Sequence, residues 1–203
     1  MRPGPRFRRR VAYAATACII AVAAPAAALA PAPCIVALVR VRRVRLAQPR
    51  PAPMPLPAVL QPLAPWLPLL YADARAEGVP PSLVAAVALV ESGGDARAVS
   101  AEGAVGVLQV TPVAARELGL PMATDAQRIL VGAAYLAYLA RQVGASSACL
   151  AASPDAGGAC GWRVDLLVSA YNAGLSAPVQ WGYVRAVRGA WVRTRDAMEG
   201  DAA

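Results

Sequence analysis

Glu91 closes the run PSLVAAVALVE, residues 81–91, in which every other side chain is uncharged and Ser82 alone is polar. Ser92-Gly93-Gly94 follows directly. The run is expected to be a helix ending near Glu91. A carboxylate there is disfavoured twice. It lies at the negative end of the helix macrodipole, and it is carried on an element whose sides are apolar, where an ionised group is poorly solvated. Both effects raise a carboxyl pKa. A carboxyl that keeps its proton near neutral pH is what a general acid requires. A frayed helix end would instead leave Glu91 in water with ordinary acidity, so the rest of the chain must decide.

The remaining inventory narrows the chemistry. The 203 residues contain no histidine and no lysine; all twenty basic residues are arginine. Histidine-based metal sites and Ser-His or Cys-His catalysis are excluded. Proton transfer falls to Glu, Asp, Tyr or Cys, and neither a metal nor a cofactor is expected. Residues 1–50 carry ten arginines and no acid, whereas residues 51–203 carry ten arginines and twelve acids. The net charge of +8 therefore belongs to the leader, and the remainder stands at −2. A nucleic-acid-binding domain would concentrate positive charge on its own face, so no nucleic-acid partner is expected.

Behind these residues stand the elements that must position them. Residues 1–47 read as a basic and apolar leader: MRPGPRFRRR, then an uncharged stretch over 11–30 ending in Ala28-Leu29-Ala30. This is the pattern of a secretory signal. The apolar stretch resumes as CIVALV, and about 20 apolar residues can span a bilayer, so a membrane anchor is the alternative. Either reading sends the protein to the periplasm or to the outer face of the cytoplasmic membrane. Residues 48–68 hold eight prolines and are expected to form an extended spacer.

Residues 69–203 are expected to form a single, mainly α domain of several short helices. A helix over 69–78 stops at Gly78, and one over 81–91 has Ser82 as its candidate N-cap. Residues 95–110 read as an irregular loop with a short extended piece. Thr111-Pro112 opens a helix closed by Gly119. Thr124 or Asp125 caps a longer helix in which Ile129, Ala133, Leu136 and Ala140 fall at helical spacing. Further helices are expected over 162–174 and from about Ala177 to Met198. Cys149 and Cys160 lie in a Gly/Ala/Ser-rich loop and can close a short disulfide in an oxidising compartment.

Four segments carry the functional signal: Glu91-Ser92-Gly93-Gly94-Asp95; Ala98 to Gln109 followed by Thr111-Pro112; Gly132-Ala133-Ala134-Tyr135-Leu136; and Ala170-Tyr171-Asn172-Ala173-Gly174. In this order the chain resembles the lytic transglycosylases with a soluble-lytic-transglycosylase-type catalytic domain, whose fold is like that of goose-type lysozyme. The resemblance covers about residues 69–190. It implies cleavage of the β-1,4 bond between N-acetylmuramic acid and N-acetylglucosamine in peptidoglycan, with a 1,6-anhydro product. Glu91 matches the catalytic acid. Ser92, Ser100, Gln109, Tyr171 and Asn172 match positions at or near the substrate. By the same resemblance, the Tyr171 hydroxyl would orient the carboxyl. Tyr135, Trp181 and Tyr183 are aromatic candidates for lining a sugar groove. Each of these residues also has a plain structural reading: Ser100 as a turn hydroxyl, Gln109 as a loop brace, the aromatics as core.

The match has departures. Gly94 stands where an aromatic is common, Asp95 where Asn is usual, Ala96 for proline, Arg128 for Asn, and Leu175-Ser176 for Pro-Gly. The alternatives are a muramidase-type hydrolase, or a non-catalytic glycan-binding accessory of a secretion, conjugation or pilus system. The expected partner is the peptidoglycan strand, and the expected state is a monomer.

Overall fold

The computed structural model describes residues 55–152 and 154–199. The leader and the first part of the spacer, residues 48–54, lie outside the described residues. Among those described, a 3-10 helix (Ala58–Leu63) precedes seven α-helices: α1 (Leu67–Glu77), α2 (Pro81–Glu91), α3 (Pro112–Leu118), α4 (Asp125–Gln142), α5 (Ser147–Ala151), α6 (Gly158–Ala173) and α7 (Trp181–Glu199). Extended pairing is confined to two isolated antiparallel bridges, Val99 with Val105 and Val105 with Val110. None of these helices is long and apolar enough to cross a membrane.

α2 is apolar on every side, and a helix of that kind belongs inside. Ser82 through Ala88 are each at most 2% exposed. Burying Leu83, Val84 and Val87 contributes about 1.5–3 kcal/mol apiece. α1, α7 and the 3-10 helix pack around α2, while α4 lies against α1 and α6. Ser82 is not the N-cap. Pro80 holds that position without a side-chain bond, and Pro81 follows in the first turn. Proline brings a fixed φ and no orphan N–H, which frees Ser82 for the seam with α7. There its hydroxyl oxygen accepts the Trp191 indole N–H at 3.1 Å, and Thr194 donates to its carbonyl at 2.7 Å.

The other caps follow their sequences. Thr111 accepts from the Ala114 amide ahead of α3, and Gly119 ends that helix at φ 66°. Thr124 and Gln127 form a reciprocal capping box on α4. The spacer departs from expectation. Residues 58–63 are helical, and Leu60 and Leu63 are 3% and 0% exposed. The proline φ is compatible with a 3-10 turn, so burial of two leucines prevails over extension. α5 escapes periodicity because it has five residues; Ser146 caps it through the Cys149 amide at 3.3 Å. Cys149 on α5 is disulfide-bonded to Cys160 on α6, with their Cα atoms 4.9 Å apart. α6 starts at Gly158 rather than residue 162, with Gly157 at its N-cap. α7 starts at Trp181 rather than Ala177, and just ahead of it the Gln180 amide donates to the Ser169 hydroxyl at 2.8 Å. Arg188 binds the two helices together: it pairs with Asp165 at 2.6 Å and donates to the carbonyls of Pro154 and Gly161.

Candidate active site

Glu91 is the last residue of α2, and Ser92 caps it. The chain then turns through Gly93 and Gly94, both at positive φ. At Gly94 the backbone conformation is one L side chains rarely adopt, and there is no room: an added Cβ would lie 2.4 Å from the Pro62 carbonyl oxygen. The Trp66 indole N–H donates to the Gly94 carbonyl at 3.0 Å. The space beside position 94, where the resemblance anticipates an aromatic, is thus filled by the 3-10 helix and the residues just after it.

Ser92, expected at or near the substrate, is used as a brace of the loop. Its hydroxyl donates to the Val107 carbonyl at 2.8 Å and accepts from the Gly94 amide at 3.1 Å, and it does not line the cleft. The loop it anchors is pinned from below as well. A Cβ at Gly132 would come within 2.5 Å of Leu108, so glycine is what lets α4 approach the loop this closely. The Leu108 carbonyl in turn accepts from the Tyr171 hydroxyl at 2.8 Å.

The loop, α2 and α6 enclose a cleft of about 400 Å³, lined by Glu91, Ser100, Glu102, Ala104, Gln109, Thr111, Tyr171 and Asn172. Ser100 accepts from the amides of Glu102 and Ala104, both at 3.2 Å, which leaves its hydroxyl proton for the cleft. Gln109 holds a left-handed backbone, φ 45°. Its amide nitrogen donates to the carbonyls of Ala98 and Gly106, both at 3.0 Å, so its oxygen is the atom left for a ligand. Asn172 is exposed on the rim. A smaller depression of about 150 Å³ adjoins the cleft; it shares Gln109, Thr111, Tyr171 and Asn172 and adds Tyr135.

Tyr183 reaches across from α7 and donates its hydroxyl to Glu91 Oε1. The expectation placed Tyr171 in that role, but the Tyr171 proton is committed to Leu108, so Tyr183 holds the carboxyl. Burial raises the Glu91 pKa above the usual carboxyl range, and the Tyr183 hydrogen bond pulls the other way without cancelling it. Burial and the neighbouring Glu91 charge push both Tyr171 and Tyr183 well up. Both phenols therefore remain donors at any physiological pH. Oε2 of Glu91 has no protein partner among the described residues and is the oxygen available to carry a mobile proton.

Glu102, Ala104 and Thr111 line the cleft without having been anticipated as contacts. Their places in the loop between Ser100 and the α3 cap were the available signal. Trp181 does not line the cleft and packs against Trp162 instead. Among the described residues no group of three metal-binding side chains comes together.

The sequence pattern of the transglycosylase SLT domain matches residues 69–191, and the chain belongs to that family. Its mainly helical, lysozyme-like architecture is the one the family pattern implies. Among solved structures, the chain is similar to an inactive mutant of the lytic transglycosylase Slt from Pseudomonas aeruginosa. That match has 24% identity and a TM-score of 0.40, and covers 64% of this chain and 21% of the other. The chain thus spans about a fifth of that protein's length.

Proposed function

We propose that the protein is a peptidoglycan lytic transglycosylase in which Glu91 acts first as acid and then as base. The observation carrying this reading is a half-buried carboxyl lining a polar cleft, one oxygen held by Tyr183 and the other unpartnered among the described residues; burial favours its protonated form. Protonated Glu91 gives its proton to the glycosidic oxygen as the bond to C1 of the muramoyl sugar breaks. The resulting carboxylate then takes the proton of the C6 hydroxyl as that oxygen bonds to C1. The products are a 1,6-anhydro end and a free hydroxyl; no water enters, and Glu91 regains its proton. Ordinary glycoside hydrolysis needs a second carboxylate, but here the nucleophile belongs to the substrate. Ser100, the Gln109 oxygen and Asn172 supply a donor, an acceptor and an amide for sugar hydroxyls and N-acetyl groups.

Glu102 favours a second reading. It lines the same cleft, and as a base for water it would make the enzyme a muramidase. Mass spectrometry of fragments released from purified sacculi separates the two: anhydro-muramoyl ends identify the lyase, and reducing muramoyl ends, heavier by one water, identify the hydrolase. Glu91→Gln is expected to lower release by about a hundred- to ten-thousandfold. Persistent lysis would remove Glu91 from the mechanism.

The disulfide supports an exported location, since such bonds persist in oxidising compartments. We place the enzyme in the periplasm or on the outer membrane-facing side of the cytoplasmic membrane, acting as a monomer on glycan strands. A dedicated role beside a secretion, conjugation or pilus machine fits its small catalytic domain.

A further inference from the structure

Two of the four tryptophans are folded in. Trp66 and Trp191 donate their indole N–H groups to the Gly94 carbonyl and the Ser82 hydroxyl. Trp162 and Trp181 are not. Each is 48% exposed, their ring centroids lie 6.0 Å apart with a 39° tilt, and neither N–H has an acceptor among the described residues. Two large rings side by side in water, with unused donors at their edges, are not a core feature; contiguous exposed apolar surface marks a contact site.

The pair is connected to the cleft. Leu166, one turn along α6 from Trp162, and Val179, whose carbonyl accepts the Trp181 amide, line a groove of about 280 Å³. Gly174 borders both this groove and the depression beside Tyr135, which itself merges with the Glu91 cleft. A surface track therefore leads from Glu91 past Gly174 towards the two indoles.

We propose that Trp162 and Trp181 form a second glycan-binding platform, taking a pyranose ring of the bound strand remote from the scissile bond. The proposal rests on the reading of the cleft as a glycan site. Pyranose rings offer apolar C–H faces to stack on indole and hydroxyls to accept its N–H, matching an aromatic with an apolar body and a polar tip. A lipid surface fits less well. The adjoining groove is walled in part by the polar Gln142 and Ser169, and the Arg163 guanidinium next to Trp162 is held by the Val143 carbonyl at 2.7 Å.

The test is co-sedimentation of the full chain carrying Glu91→Gln with purified sacculi, with and without W162A and W181A together. The apparent Kd is expected to rise about tenfold in the double substitution, in keeping with loss of buried aromatic anchors. W162F with W181F restores ring stacking and is expected to recover most of the binding, which separates lost stacking from misfolding. Sacculus binding indifferent to the alanine pair overturns the platform. So does a tryptophan-dependent sedimentation with vesicles of phosphatidylethanolamine and phosphatidylglycerol that leaves sacculus binding untouched. Failure of the cleft reading looks different: the chain with Glu91 intact releases no fragments, while the tryptophan-dependence of binding still decides the platform.

Discussion

In the proposed mechanism the Glu91 carboxyl gives up a proton and takes one back, so its acidity matters, and its surroundings set that acidity. Burial raises its pKa and the Tyr183 hydrogen bond restrains the rise. The free enzyme must be protonated to begin, so kcat/KM is expected to fall as pH climbs through the Glu91 pKa. Tyr183→Phe removes the bond that favours the carboxylate, so the falling limb should move to higher pH in that variant; a limb that stays put would mean the two groups do not communicate. Stability carries the same sign. The folded carboxyl binds its proton more tightly than the unfolded one, so stability is greatest below the unfolded pKa and is lost as pH rises through the folded pKa. At neutral pH Glu91→Gln is therefore expected to raise the unfolding free energy by up to about 1 kcal/mol, seen as a higher urea midpoint. Glu91, the proposed acid, was legible as a lone charge closing an apolar run. Its hydroxyl partner was not, because Tyr183 lies 92 residues away and only tertiary packing brings the two together.

At the level of elements, the helices read well where one face, a cap or a glycine declared them. α2, α3 and α4 fall where their sequences place them, within a residue or two. What could not be read were contacts decided by close approach. Glycines 94 and 132 look like ordinary loop and helix glycines in sequence, yet each sits against a neighbour that a methyl group would strike. Gly94→Ala combines a positive φ with a backbone clash, so a loss of at least about 2 kcal/mol is expected, read from thermal or urea unfolding. Activity should fall further than stability alone explains, because the same shift displaces the turn immediately after Glu91. Ser92 and Ser100 show the limit from the other direction. Both are loop serines beside the acid, but one hydroxyl is spent on Val107 and the other keeps its proton for the cleft.

Over the whole molecule, composition located the charge in the N-terminal fifty residues and left a near-neutral remainder, which argued against a nucleic-acid-binding domain. It also flagged Cys149 and Cys160, though not that they join two helices. Their bond closes a short loop against α6, and replacing both cysteines by alanine is expected to lower stability by about 3 kcal/mol. Reductant should produce the same drop in the melting temperature of the parent chain and none in the double variant.

The family pattern begins at residue 69, yet Leu63, Pro62 and Trp66 already rest on the turn that follows the acid. A chain cut to the matched boundary would lose the residues that pack against Gly94 and hold the turn after Glu91. The short 3-10 helix, outside the family pattern, is thus part of the mechanical support of the turn beside Glu91.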